Sequence, residues 1–196
     1  MHNIRTITVA LAAVTVLSSV AAAQRQQGAP RPQGIPSSTK EFGIDGAITF
    51  YQGDNDFRTI ELPNGIFRVG FHRNQTWSIE PYTQISWESN DAFSTSRILL
   101  GAGLLYHLST SRLENQWYVR PFIALDHRGF NDKVPPENDV STNQLQLGAG
   151  FGLKMPLADR IGARFELNLG RALESGNDVP GYTIIGLQAG LSYFTR

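Results

Sequence analysis

The residues predict an all-β protein: a closed antiparallel up-and-down transmembrane β-barrel of about eight strands, preceded by a signal peptide. Three observations predict it. Eight segments beyond Lys40 alternate between apolar and polar residues with a period of two, as a strand with two unlike faces requires. These segments run about 10–13 residues, whereas soluble strands usually run five or six and a tilted bilayer-crossing strand needs about 9–11. The large aromatic residues of the apolar faces gather at segment ends rather than at their middles.

In chain order, residues 1–23 read as a secretory signal. Arg5 supplies the positive charge, Thr8–Val20 a short apolar run, and Ala21-Ala22-Ala23 the small-residue cleavage pattern. A spanning helix would need roughly 20 apolar residues, and Thr15, Ser18 and Ser19 interrupt this run. No cysteine follows it, so no lipid anchor is expected. Residues 24–40, QRQQGAPRPQGIPSSTK, carry one large apolar residue, Ile35. They cannot offset their ordering entropy by burial and read as a flexible periplasmic leader. The barrel is expected over residues 41–196.

Its first strand opposes Phe42, Ile44, Gly46, Ile48 and Phe50 to a face carrying Asp45. The second sets Phe67, Val69 and Phe71 against Arg68, and the third sets Trp77, Ile79, Ile85 and Trp87 against Glu80. The fourth is the least clean, with Leu99 and Leu105 sharing the face of Arg97. In the fifth, Trp117, Val119 and Ile123 oppose Arg120 and Asp126; in the sixth, Leu145–Leu153 opposes Gln144, Gln146 and Lys154. The seventh opposes its apolar set to Arg164 and Glu166, and the eighth alternates glycine and glutamine with Ile185, Leu187, Leu191 and Tyr193. Connections alternate in length. Arg73–Thr76, Ser109–Gln116 and Met155–Arg160 are compact, while Gln52–Gly65, Gly129–Ser141 and Glu174–Gly181 are longer and polar, although the fourth outer connection, Ser89–Ser94, is short. Pro63-Asn64-Gly65 signals a turn or bulge. Three short inner turns and four outer loops fit a membrane barrel with both termini inside.

Alternation alone also fits a water-soluble, calycin-like binding barrel, in which the apolar set would face inward. The aromatic positions argue for the opposite orientation. Trp77, Trp117, Tyr106, Tyr193, Phe42 and Phe71 fall at the inner ends, and Trp87 and Phe50 at the outer ends, as a membrane-interface girdle would. The polar face mixes both charges with many of the 19 glycines, which suits a crowded eight-strand lumen. Ionised groups there must pair. Asp45, Arg68, Glu80, Arg97, Arg120, Asp126, Arg164 and Glu166 are the expected lumen network. A three-residue hairpin at Arg73–Gln75 would set Arg68 directly opposite Glu80.

A formal net charge of zero speaks against a nucleic-acid partner. The absence of cysteine removes thiolate chemistry and thiolate metal sites. Asp54, Asp56, Asp91, Asp132, Glu137, Asp139, Glu174 and Asp178, set against Arg58 and Lys133, give acidic outer loops. These read first as solvated, and second as bridges to lipopolysaccharide through divalent cations.

The signal segment, the glycine-spaced strands Gly101–Tyr106 and Gly148–Lys154, the MPLADR turn at Met155–Arg160 and the closing strand Gly186–Phe194 together resemble the OmpA/OmpX-like small outer-membrane barrels. The likeness extends over roughly Glu41–Arg196. It implies an outer-membrane location with lipid and lipopolysaccharide as surroundings. A monomer is expected, and with no phosphate-binding glycine loop and no metal-ligand cluster in the sequence, no cofactor or metal. The likeness also implies recognition by the barrel-assembly machinery through Gln188, Gly190 and Tyr193, although Thr195 stands in the last position of that motif. The functional expectation is a structural or surface-interaction barrel with a plugged polar lumen, and not an enzyme. Alternatives are a small-solute, porin-like channel and a lipid-modifying enzyme. For the latter, His107-Leu108-Ser109 matches the H-x-S pattern of lipid A deacylases; separately, Asp126-His127 is similar to the acid–histidine pairs of outer-membrane proteases. Adjacent strand residues point to opposite faces, which separates the second pair.

Overall fold

The computed structural model describes residues 40–53, 58–74, 76–108, 115–133, 138–176 and 179–195. The expected signal segment and leader therefore lie outside the described residues, apart from Lys40. Eight strands follow one another: β1 (Lys40–Gly53), β2 (Arg58–His72), β3 (Trp77–Ser89), β4 (Phe93–His107), β5 (Gln116–Asp132), β6 (Asn138–Ala158), β7 (Ile161–Ala172) and β8 (Tyr182–Phe194). Each pairs antiparallel with its sequence neighbours. β1 closes on β8 through Glu41↔Phe194 to Gly53↔Tyr182, leaving a sealed barrel with no free edge. Lys40, assigned above to the leader, instead begins β1, opposite Phe71 and accepting a hydrogen bond from the Thr195 amide at 2.9 Å.

Turn chemistry sets two of the hairpins. Asn74 Oδ1 accepts from the Thr76 and Trp77 amides, both at 2.8 Å. Asn90 Oδ1 likewise accepts from Ala92 and Phe93, at 2.9 and 2.8 Å. A short side-chain acceptor standing in for a backbone carbonyl is the means by which asparagine initiates turns. The first of these turns is longer than expected. Phe71 pairs with Ile79 and His72 with Ser78, so Arg68 faces Tyr82 across the ladder rather than Glu80. The shift is two residues, which preserves every side chain's face.

Several strands outrun the alternating pattern. The segment Gly129–Ser141, expected as a loop, is mostly ladder from Gly129↔Ser141 to Asp132↔Asn138. Much of Gln52–Gly65 is likewise paired, with a register shift between Ala47 and Thr49 opposite the Pro63-Asn64-Gly65 signal. β6 continues to Ala158, so the MPLADR turn contracts to Asp159-Arg160. Backbone pairing needs only ladder geometry, whereas alternation is required only where the two faces meet different surroundings.

Pro81 and Pro121 sit inside strands. Each keeps one ladder (Pro81↔Ala102, Pro121↔Ala149), and the other ladder skips it, between Arg68↔Tyr82 and Phe71↔Ile79 and between Gly103↔Phe122 and Tyr106↔Val119. A missing N–H removes one ladder bond, and the closed barrel tolerates two such gaps.

Candidate functional site

Burial is inverted relative to a water-soluble barrel. Ile44, Phe67, Ile79, Leu100, Ile123, Leu147, Leu167 and Leu187 stand exposed on the outer surface, while Asp45, Arg68, Glu80, Arg97, Arg120, Asp126, Arg164 and Glu166 are all buried inside. Parity explains the arrangement. The strands are closed on themselves, so one of their two faces must line the lumen, and here it is the charged one.

Charge pairs within the lumen form two clusters. In the half nearer the termini, the Arg68 guanidinium donates to Asp45 at 2.7 Å, Glu41 at 2.5 Å, Ser192 at 2.6 Å and, diagonally, Glu80 at 3.4 Å. Arg164 donates to Glu80 at 2.6 Å, to the Tyr118 hydroxyl at 2.5 Å, and to Glu166. Arg120 also donates to Glu166, reaches Asn168 at 3.1 Å, and lies over the rings of Tyr82 and Phe122 at 5.0 and 5.1 Å. Lys154 Nζ meets Glu41 at 2.5 Å. Four cations thus face four carboxylates (Glu41, Asp45, Glu80, Glu166) in a chain of shared bonds. Low-dielectric burial of charge is tolerated only with such pairing.

The second cluster lies toward the opposite, long-hairpin end. Asp126 accepts two parallel bonds from Arg97, at 2.7 and 2.8 Å, and others from Arg128 at 3.0 Å, Gln146 at 2.8 Å and Tyr182 at 3.1 Å. Arg97 also reaches the Tyr51 hydroxyl at 2.7 Å. The eight residues expected to form one network are therefore divided, with Arg97 and Asp126 apart from the other six. Glu41, Tyr118, Lys154, Tyr51, Arg128 and Tyr182 complete the clusters. Face parity identifies them as well, since Tyr118 shares its face with Arg120, and Tyr51 with Asp45. Glu41 sits just before the first alternating segment, which starts at Phe42.

Glycine makes the room for these side chains. A Cβ at Gly152 would overlap the Tyr118 ring, one at Gly190 would overlap the Asp45 carboxylate, and one at Gly103 would fall 2.7 Å from Arg120 Cδ. The lumenal glycines are close-approach positions for the charged network.

The eight aromatic residues named as a girdle are all exposed on the outer surface. At the terminal end Trp77 packs on Tyr106 and Trp117 stacks on Phe151, with ring centres 4.6 and 5.2 Å apart. Phe42 sits beside Tyr193, and Phe71 faces Lys40. Phe50 and Trp87 lie toward the hairpin end.

The enzyme alternatives find little in this geometry. His107 is buried, stacked on His72 at 5.7 Å, and its Nε2 lies 3.3 Å from Ser78 Oγ, while Nδ1 has no partner. A serine–histidine pair acting as a nucleophile needs its imidazole oriented by a third group and a path to substrate, and this pair is buried on the lumenal face. Ser109 lies outside the described residues. His127 faces outward and bonds Asn143 at 2.8 Å, while Asp126 faces the lumen. Among the described residues no three His, Asp or Glu side chains converge as a metal site. Of the loop acids, Asp54, Asp56, Glu137 and Asp178 lie outside the described residues.

No protein-family model and no curated protein matches the chain. Solved structures do. The attachment invasion locus protein Ail of Yersinia pestis aligns with a TM-score of 0.56 at 11% identity, covering 82% of this chain and 100% of Ail. Neisserial surface protein A gives 0.56 at 13% identity over 79% and 96%. A major outer membrane protein of Thermus thermophilus gives 0.57 at 14% identity over 80% and 99%. The fold is that of the small outer-membrane barrels. Within this OmpA/OmpX-like architecture, eight strands enclose an interior only just wide enough for side chains, and the two charge clusters occupy it here.

Proposed function

We propose that the protein is an integral outer-membrane barrel with a structural or surface-interaction role, exported by its N-terminal signal and sealed by its own lumenal side chains. The carrying observation is the inverted burial. Soluble monomers rarely expose contiguous apolar patches beyond a few hundred Å², whereas this belt runs around all eight strands. On β6 its outward residues extend from Leu145 to Met155. Ten steps at ~3.3 Å, tilted by about 40°, give a belt about 25 Å tall, matching the apolar band of outer-membrane barrels. The eight aromatics serve as the interfacial girdle, and the termini lie on the periplasmic side. The closing strand engages the assembly machinery, and the long-hairpin end supplies the binding surface. In keeping with such a role, the structural relative Ail carries attachment in its name and has been solved with the heparin analogue sucrose octasulfate.

Heat-modifiable migration tests this reading. The folded barrel should run as a compact species in unboiled detergent gels, shift on boiling, and fractionate with outer membranes. Recovery as a soluble, heat-insensitive species would overturn it.

The ionic clusters favour a closed lumen over a channel, because every arginine of the terminal-half cluster bridges strands across the interior. Purified protein in planar bilayers should be electrically silent; steady openings would support the channel alternative. An unchanged lipid A profile in cells lacking the protein would argue equally against a lipid-modifying enzyme.

A further inference from the structure

Beyond the apolar belt, the outward wall of β3–β6 continues as a different surface. One cross-strand row reads Trp87, Ser96, Gly129, Ser141, since Trp87 pairs with Ser96, Ser96 with Gly129, and Gly129 with Ser141. The next row outward reads Ser89, Ser94, Asn131, Asp139 by the same registers. The row below reads Ile85, Ile98, His127, Asn143: apolar belt on β3 and β4, and polar on β5 and β6. Trp87, Ser94, Ser96, Gly129, Asn131, Asp139 and Ser141 line a surface cleft together with the exposed Phe130 and Val140. Its floor is small by construction, since a Cβ at Gly129 would already stand 2.8 Å from Ser96 Oγ. Trp87 flanks the cleft at 75% exposure, the most exposed large apolar side chain on the described surface.

We propose that this cleft seats a sugar ring of an outer-leaflet glycolipid headgroup. The inference rests on the membrane reading above, which places the cleft at headgroup height. Three adjacent strand spacings at ~4.8 Å make it about 14 Å wide, the scale of one or two pyranose rings. Serine hydroxyls donate and accept, and Asn131 does both through its amide, so the cleft offers mixed partners to a polyhydroxylated ring. The amphipathic indole supplies a flat face where apolar and wet surroundings meet. The cleft's charge selects between sugar and phosphate. Its only ionisable lining residue is Asp139; of the neighbouring basic groups, Lys133 is tied to Ser89 Oγ and the Asn90 carbonyl, both at 2.8 Å, and His127 to Asn143 Oδ1 at 2.8 Å. A carboxylate accepts sugar hydroxyls and repels phosphate.

A variant with Trp77→Phe and Trp117→Phe leaves Trp87 as sole reporter. It is inserted into vesicles of phosphatidylcholine alone, with phosphatidylglycerol, or with uncharged dihexosyl diacylglycerol, and quenched with aqueous acrylamide. Several-fold protection of Trp87 by the glycolipid alone, abolished when Gly129→Val or Ser141→Leu fills the cleft, is the expected result. Equal protection in all vesicles, protection that survives filling, or protection by free maltose in detergent without any glycolipid effect would each overturn the proposal. Brominated phosphatidylcholine quenching of Trp77 and Trp117 in a Trp87→Phe protein reports insertion separately. Its failure would overturn the membrane reading itself, whereas normal quenching with an unprotected Trp87 overturns only the sugar site.

Discussion

At the scale of single residues, the lumen is a set of charges that exist only in each other's company. Arg164 touches Glu80, Glu166 and the Tyr118 hydroxyl, with its side chain almost wholly buried. Removing one partner leaves the others buried and unpaired, which typically costs 3–5 kcal/mol, whereas exchanging a whole cluster for packed apolar residues can be neutral. Arg164→Met should therefore lower stability by about 3–5 kcal/mol, read from urea unfolding in lipid vesicles. A loss under about 1 kcal/mol would mean that the cluster is hydrated and weak. The lumenal glycines make a second prediction. Gly152→Val puts a branched side chain where the Tyr118 ring lies, and it should block refolding judged by gel mobility. The same change at Gly65, where an added Cβ meets nothing within 4 Å, should not.

Strands and turns obey different constraints along their length. Within the belt, alternation is enforced because one face meets the ionic lumen and the other an apolar surface. Past the belt both faces meet polar surroundings, and β5 and β6 continue as a ladder to Asp132↔Asn138 without the pattern. Strand existence and face were therefore legible residue by residue, while strand ends toward the hairpin side were not. The β2–β3 register differs from the expected one by two residues because the turn is built on Asn74, whose side chain caps the Thr76 and Trp77 amides. Asn74→Ala should cost about 1 kcal/mol in the same unfolding assay. An unchanged midpoint would show that the neighbouring ladder holds the turn unaided.

For the whole molecule, the belt sets a depth scale. An arginine in place of Ile123, exposed within the belt on β5, should cost about 2–4 kcal/mol in vesicles, falling to about 0–1 near an interface. Ser141→Arg, beyond the belt, should sit at the low end. Equal costs at both depths would contradict bilayer insertion. Closure also explains why Pro81 and Pro121 are tolerated. Each breaks one ladder locally, yet neighbouring strands remain paired above and below, and no edge is left free to recruit another chain.

Periodicity, segment length and the placement of aromatics, all properties of the chain alone, determined an eight-strand barrel with its charges on one face. They did so because a strand's side-chain period is two whatever its partners. Parity also marked nearly every lumenal residue before any contact was known. Which charges meet was decided only in three dimensions. Long arginine side chains reach diagonally across a closed interior, so Arg68 on β2 finds Glu41 and Asp45 on β1 and Glu80 on β3, and Arg97 and Asp126 separate from the rest. The row of Trp87, Ser96, Gly129 and Ser141 is likewise a product of register. These four residues are scattered over more than fifty positions of sequence and become neighbours only where four strands align.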